Sequence, residues 1–212
     1  ALFRRADCHF NLGRFEQARQ DYQRVTDRYP AHSLAEDALY NIAWCLMSLA
    51  PPATAGEQPA ELQQAFAAYL ERYPLGRHVA TVRYTLAEMN FNAEDYQRAY
   101  DLFRRIEREF PGSPAAEKAT GVLPELREAL SYQAYSTTME IFNRAVKEDD
   151  KALFSQAIPT FEEVWRQYSD TSSGIAAKVN IGVCYQRLKD WKKAVETFDE
   201  IIAEGEKGHP QV

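Results

Sequence analysis

A thiolate is both a nucleophile and a soft metal ligand, so the three cysteines are the first residues to test for chemistry. Cys8, Cys45 and Cys184 stand in the contexts ADC, AWC and GVC, each two residues after a small residue. They lie far apart in the chain and share one recurring position, so they form neither a two-cysteine metal knuckle nor a close disulfide pair. A residue type that recurs at one place in a repeating pattern is a packing choice, and a free cysteine packs as a small buried hydrophobe. The four histidines, His9, His32, His78 and His209, have no partner at the helical spacing that would bring two ligands to one face. The sequence holds no G-x-S-x-G elbow and no phosphate-binding glycine loop. Adjacent acids such as Glu162 with Glu163 and Asp149 with Asp150 point to different sides of a helix and read as solvated surface. No catalytic residue, cofactor or metal site is expected, and the chain is not expected to be an enzyme.

The elements that must hold these residues are short amphipathic helices in pairs. The clearest pair is NIGVCYQRLKDWKKAVETFDEII, Asn180 to Ile202, with a polar hinge at Lys189 and Asp190. Its second half repeats apolar residues at Trp191, Ala194, Val195, Phe198 and Ile201, a three-and-four spacing that draws one stripe along a helix. Trp191 and Phe198 are expected to fill gaps against a neighbouring pair, and Trp191 in particular to be buried. Four further copies align on two landmarks. The small residues are Ala6, Ala43, Ala87, Ala145 and Gly182, and the aromatics are Tyr22, Phe66, Phe103, Phe161 and Phe198. The two landmarks lie 16 residues apart in every copy but the second, a spacing that chance rarely holds.

These copies divide the chain into repeats at about 1–30, 33–74, 77–111, 136–169 and 173–206. Tyr29-Pro30, Tyr73-Pro74 and Phe110-Pro111 close the first three, because proline cannot continue a helix and biases the residue before it away from helical angles. Ser33 is the expected N-cap of the second copy. That copy carries a seven-residue insertion around 50–59, rich in proline. The 21 extra residues at about 114–135 before the fourth copy are helical, either an inserted helix or a first helix roughly doubled; Gly121 and Pro124 favour a short helix over 114–122, a break or sharp kink, then a long helix to 148. The tail EKGHPQV is expected to fray.

Net charge is −6, from 25 basic and 31 acidic residues, with no basic run, so neither nucleic acid nor an anionic membrane is the expected partner. No apolar run reaches the eighteen or so residues of a membrane span. The chain opens at Ala1 in mid-pattern, only five residues before Ala6, and so reads as a fragment of a longer protein whose targeting segment would lie upstream.

The pattern resembles the tetratricopeptide repeat. Tyr40, Asn41 and Ala43, or Phe142, Asn143 and Ala145, match the aromatic, Asn and small residue of its first helix; Phe15 with Ala18, Tyr96 with Ala99, Phe154 with Ala157, and Trp191 with Ala194 match its second. The second copy departs, with Leu62 where alanine is expected. The resemblance implies an all-α, right-handed superhelical solenoid of antiparallel helix pairs with one irregular helical insertion, and a protein-binding scaffold with no catalytic activity. The repeat period of 37 and the junctions RYPAHSLAEDA and EFPGSPAAEKA are similar to those of bacterial cell-envelope members, the outer-membrane assembly lipoprotein BamD and the Tol-Pal-associated division coordinator CpoB. They imply a periplasmic or outer-membrane-associated protein; unpaired cysteines lean instead towards the cytoplasm, where the chain would serve as the interaction arm of a larger enzyme or regulator. Self-association through the end helix is a further reading, since solenoid ends lack caps.

In such solenoids the first helices line the concave side. Carried over, this gives a peptide-binding groove of Phe3, Asp7 and Phe10; Tyr40, Trp44 and Met47; Tyr84, Glu88 and Phe91; and Phe142 with Val146. An aromatic, mildly acidic groove suits an apolar protein segment as partner. Paired Lys and Asn that would bind a terminal carboxylate are not found on these faces.

Overall fold

The computed structural model describes residues 1–50 and 60–206. Those residues form ten α-helices and no strand, arranged as antiparallel pairs of the tetratricopeptide-like solenoid type. One compact unit, Ala1–Leu123, holds α1 (Leu2–Asn11), α2 (Phe15–Arg28), α3 (Ala35–Leu49), α4 (Ala60–Arg72), α5 (Val79–Asn92), α6 (Tyr96–Glu109) and the start of α7 (Pro114–Glu148). The second, Pro124–Val212, holds the rest of α7, α8 (Lys151–Tyr168), α9 (Ser172–Leu188) and α10 (Trp191–Glu206). The insertion loop expected around 50–59 lies outside the described residues from 51 on, and so does the tail beyond 206.

Each pair is built as its landmarks require. Ala6, Ala43, Ala87 and Ala145 are fully buried, as are Phe66 and Phe161, with Tyr22 and Phe103 nearly so. A small residue lets the second helix close in, and its aromatic then fills the space. In the last pair the small residue must be glycine: a Cβ added at Gly182 would lie 2.6 Å from two carbons of the Phe198 ring.

The turns inside the pairs share one backbone solution. Gly13, Glu94 and Lys189 have φ of 70°, 59° and 63°, and each lies seven residues after the small residue of its repeat. The next residue's amide donates back across the helix end, Arg14 to His9 O, Asp95 to Asn90 O and Asp190 to Tyr185 O, each at 2.9 Å. This bond from the second residue past the helix end, with a left-handed residue before it, closes a helix by satisfying orphan carbonyls. Asp149, φ 46°, does the same before α8, with Asp150 N donating to Ala145 O at 3.1 Å. There the turn comes three residues early and α8 gains nearly a turn at its start. Only glycine adopts this conformation without a Cβ penalty. A Cβ at Gly13 would meet nothing within 4 Å, so Gly13→Ala tests the backbone alone and is expected to cost about 1 kcal/mol in chemical denaturation. Lys189→Gly should gain about 0.5 kcal/mol by the converse argument.

Four expectations are corrected. First, Pro124 lies inside α7 and does not end it; α7 is one 35-residue helix, so the first helix of the fourth repeat is lengthened and no separate helix is inserted. Its buried residues Ala116, Ala119, Leu123, Leu126 and Leu130 keep an alternating three-and-four spacing straight through the proline. Packing along that stripe holds the helix where one backbone bond is lost. Second, Ser33 is not the N-cap of α3; Leu34 holds that position without a side-chain bond. Third, Trp191 is exposed, where its repeat position predicted burial. Fourth, Cys8 is exposed, while Cys45 and Cys184 are buried. Both last discrepancies have one cause: α1 has no helix pair packed in front of it among the described residues, and α10 has none behind it.

Candidate functional site

The first helices of the first four pairs carry the positions expected to line a groove, and packing on the second helix of the pair fixes two of the three. Three residues before the small landmark stand Phe3, Tyr40, Tyr84 and Phe142, all half-buried. Phe3 meets Tyr22 edge-on at 5.3 Å between ring centroids, Tyr84 meets Phe103 at 5.3 Å, and Phe142 meets Phe161 at 5.9 Å. Four residues after the landmark, Phe10 meets Phe15 at 5.2 Å and Phe91 meets Tyr96 at 5.7 Å, while Met47 packs on the cluster of Leu62, Phe66 and Tyr69. Edge-on pairs at these distances are favourable for aromatic quadrupoles. Each ring is therefore half core and half surface, held in one orientation.

The third position, directly after the landmark, is more outward and chemically mixed: Asp7, Trp44, Glu88 and Val146. Asp7 Oδ1 accepts a 2.7 Å bond from the Tyr22 hydroxyl, and Arg4 lies 3.5 Å from its other oxygen. Glu88 and Val146 are exposed. Trp44 sits half-buried, edge-on to Tyr40 at 6.0 Å. Burial and then the neighbouring Glu88 push the Tyr84 hydroxyl above its usual range, and burial does so for Tyr40, so both remain protonated donors at neutral pH.

Unit 1 brings Phe3 to Phe91 onto the first helices α1, α3 and α5. Within it, Phe3 also borders a cleft of about 270 Å³ with Leu2, Val25, Tyr29, His32 and Leu34. Unit 2 carries Phe142 and Val146 on α7.

Between α3 and α5 lies a cluster that spacing alone does not reveal. The His78 ring stacks on Tyr40 at 3.9 Å and 6°, and His78 Nε2 lies 2.8 Å from Asp37. Glu36 Oε1 accepts from the Tyr69 hydroxyl and the Arg77 amide, each at 2.7 Å. Gly76 makes this possible, because a Cβ there would lie 2.6 Å from that same Glu36 oxygen. Across α5 and α7, the Lys118 ammonium lies 5.7 Å from the Tyr84 ring centre. The site offers aromatic faces, acids and a few cations. No group of three or more His, Cys, Asp or Glu that could hold a metal occurs among the described residues, and no described helix is long and apolar enough to cross a membrane.

Two family models described as tetratricopeptide repeat match the sequence, one over residues 1–32 and 176–204, the other over residues 55–114. Among curated proteins, none matches. Solved structures similar to this chain include a kinesin light chain-type protein of Podosopora anserina with nearly identical TPR-like repeats, at 12% identity and TM-score 0.43, covering 98% of this chain and 95% of that one. The MamA protein is similar at 17% identity and TM-score 0.39, covering 95% of this chain and 88% of that one.

Proposed function

We propose that this chain, which belongs to the tetratricopeptide-repeat proteins, is a non-catalytic scaffold that binds an apolar segment of a partner protein along the first helices of unit 1. The observation that carries this reading is the row of half-exposed aromatic rings, Phe3, Tyr40, Tyr84 and Phe91 with Trp44, each braced by a neighbouring ring. Rings already fixed lose little freedom on binding, so their exposed faces can anchor a partner at low entropic cost. Exposed Glu88 beside them favours a segment that also carries a basic residue.

The test is affinity capture from the native organism with wild-type, Trp44→Ala and Tyr84→Ala baits, read by mass spectrometry. One protein should be retained by the wild type and lost about thirtyfold by each variant, the loss of an interface anchor worth about 2 kcal/mol. The same variants should lose about 1 kcal/mol of stability, as half-buried rings in edge-on pairs. Equal capture by all three baits sinks the proposal. A collapse of folding would show that the rings are core.

The place proposed for this scaffold is a bacterial envelope complex of the outer-membrane assembly or Tol-Pal type, on the periplasmic side. Its support is the repeat period and the aromatic-proline junctions followed closely by serine, Tyr29-Pro30 with Ser33 and Phe110-Pro111 with Ser113. Both junction residues close their helices with the same backbone, φ −133° and ψ 53° at Tyr29 and φ −130° and ψ 51° at Phe110. Fractionation of the tagged, full-length gene product tests this, and recovery in the cytosol alone would contradict it.

A further inference from the structure

The stack of His78 on Tyr40 ties the aromatic row to a residue that is on none of its positions. Five residues after the closing aromatic of each repeat stand Leu34, His78, Ala115 and Ser173, so one junction alone supplies a ring to the repeat before it. Phe3 and Tyr84 meet the second helix of their own pair edge-on, whereas Tyr40 lies flat on a side chain of the next pair, with the planes 6° apart and the centroids at 3.9 Å. His78 is itself held at two points. Its Nε2 lies 2.8 Å from Asp37 Oδ1, on the turn of α3 before Tyr40, which fixes the rotation of the imidazole. Its backbone amide donates to the Tyr69 hydroxyl at 3.1 Å, and that hydroxyl donates to Glu36 Oε1 at 2.7 Å. Tyr69 is fully buried, so this end of the network is anchored in the core. Arg77 Nε lies 3.7 Å from Glu36 and 3.5 Å from Asp37, and so holds both acids in place. The arrangement depends on Gly76, because a Cβ there would lie 2.6 Å from the Tyr69 oxygen as well as from Glu36. Trp44 completes the series: it lies edge-on to Tyr40 at 6.0 Å, so the indole is set against a ring that His78 sets.

We propose that His78 is a positioning residue of the binding face, holding Tyr40 and through it Trp44 in the orientation that receives a partner; this rests on the scaffold function proposed for the first helices of unit 1. On a bare helix surface the Tyr40 ring has more than one staggered rotamer open to it, and the imidazole plane admits the one parallel to it. A ring fixed before binding loses little freedom on binding, so removing the imidazole lowers affinity through Tyr40 and Trp44. Asp37 and the Glu36–Tyr69 pair act one step further back, by fixing the imidazole and the backbone that carries it.

Fluorine NMR of the chain labelled with fluorotryptophan reads Trp44 without any partner. Its resonance is assigned by its loss in Trp44→Phe, and Trp165 and Trp191, both in unit 2, serve as internal references. His78→Ala should shift or broaden the Trp44 resonance and leave the other two unmoved, in a chain that circular dichroism shows to be folded. His78→Phe, which restores a flat ring on the same backbone, should bring the resonance back towards that of the wild type. A residue that only stabilised the fold would not move one indole selectively, nor be rescued by a ring. His78→Gln keeps a side-chain donor for Asp37 without a ring, and should match His78→Ala, or replace it if that variant does not fold. In affinity capture, His78→Ala should retain about tenfold less of the protein held by the wild-type bait, and His78→Phe should stay within about threefold of the wild type. An unmoved Trp44 resonance in folded His78→Ala or His78→Gln overturns the proposal. So does full capture by His78→Ala where Trp44→Ala captures nothing. Equal capture by Trp44→Ala and the wild type would instead sink the scaffold function, and the Trp44 resonance would still decide whether His78 positions the two rings.

Discussion

Replacing Gly174 by alanine is expected to destabilise unit 2 by about 3 kcal/mol or more, lowering its melting temperature by roughly 10 °C. Gly174 sits in the first turn of α9, where the chain has just left α8. A Cβ there would lie 1.8 Å from the Tyr168 carbonyl oxygen, well inside van der Waals contact with rigid backbone. That oxygen cannot retreat cheaply, because it accepts bonds from the Thr171 amide at 3.0 Å and the Thr171 hydroxyl at 2.8 Å. The same hydroxyl accepts from the Gly174 amide at 3.1 Å, capping α9. Moving Gly174 away therefore breaks the cap, and moving Tyr168 loosens the junction. Gly121→Ala is the control: nothing lies within 4 Å of a Cβ there, and the change should be neutral or slightly stabilising in the same thermal melt.

The second large effect is a contrast between equivalent residues. Phe154→Ala should cost about 4 kcal/mol, because a fully buried ring leaves both a transfer loss and a cavity. Trp191→Ala, at the same position of the next repeat, should cost under about 1 kcal/mol at concentrations where the chain is monomeric, because most of that ring already faces water. Chemical denaturation of both variants in dilute solution measures the difference. A large loss for Trp191→Ala there would mean that its face is covered within the single chain.

That contrast marks where the sequence is informative. Helix pairs and the small-aromatic landmarks are legible because helical periodicity and the residues at closing turns are local properties. The exposure of Trp191 and Cys8 is not, because a repeat position specifies burial only if the neighbouring pair is present. Pro124 misleads for a related reason. Its local cost is real, but the stripe from Ala116 to Leu130 spans it, and the longer-range packing prevails. The aromatic positions of the first helices can be read from spacing, yet their division into braced rings and outward groups depends on ring geometry that spacing does not carry. The Tyr40–His78 stack joins residues one repeat apart that share no motif, so nothing in a single repeat announces it.

The most direct test of the scaffold reading is hydrogen exchange of the chain with and without its captured partner. Slowed exchange should concentrate in α3 and α5, around Tyr40, Trp44 and Tyr84, with α4 and α6 little changed. Protection confined to the second helices, or to α10 alone, would contradict binding along the first helices of unit 1.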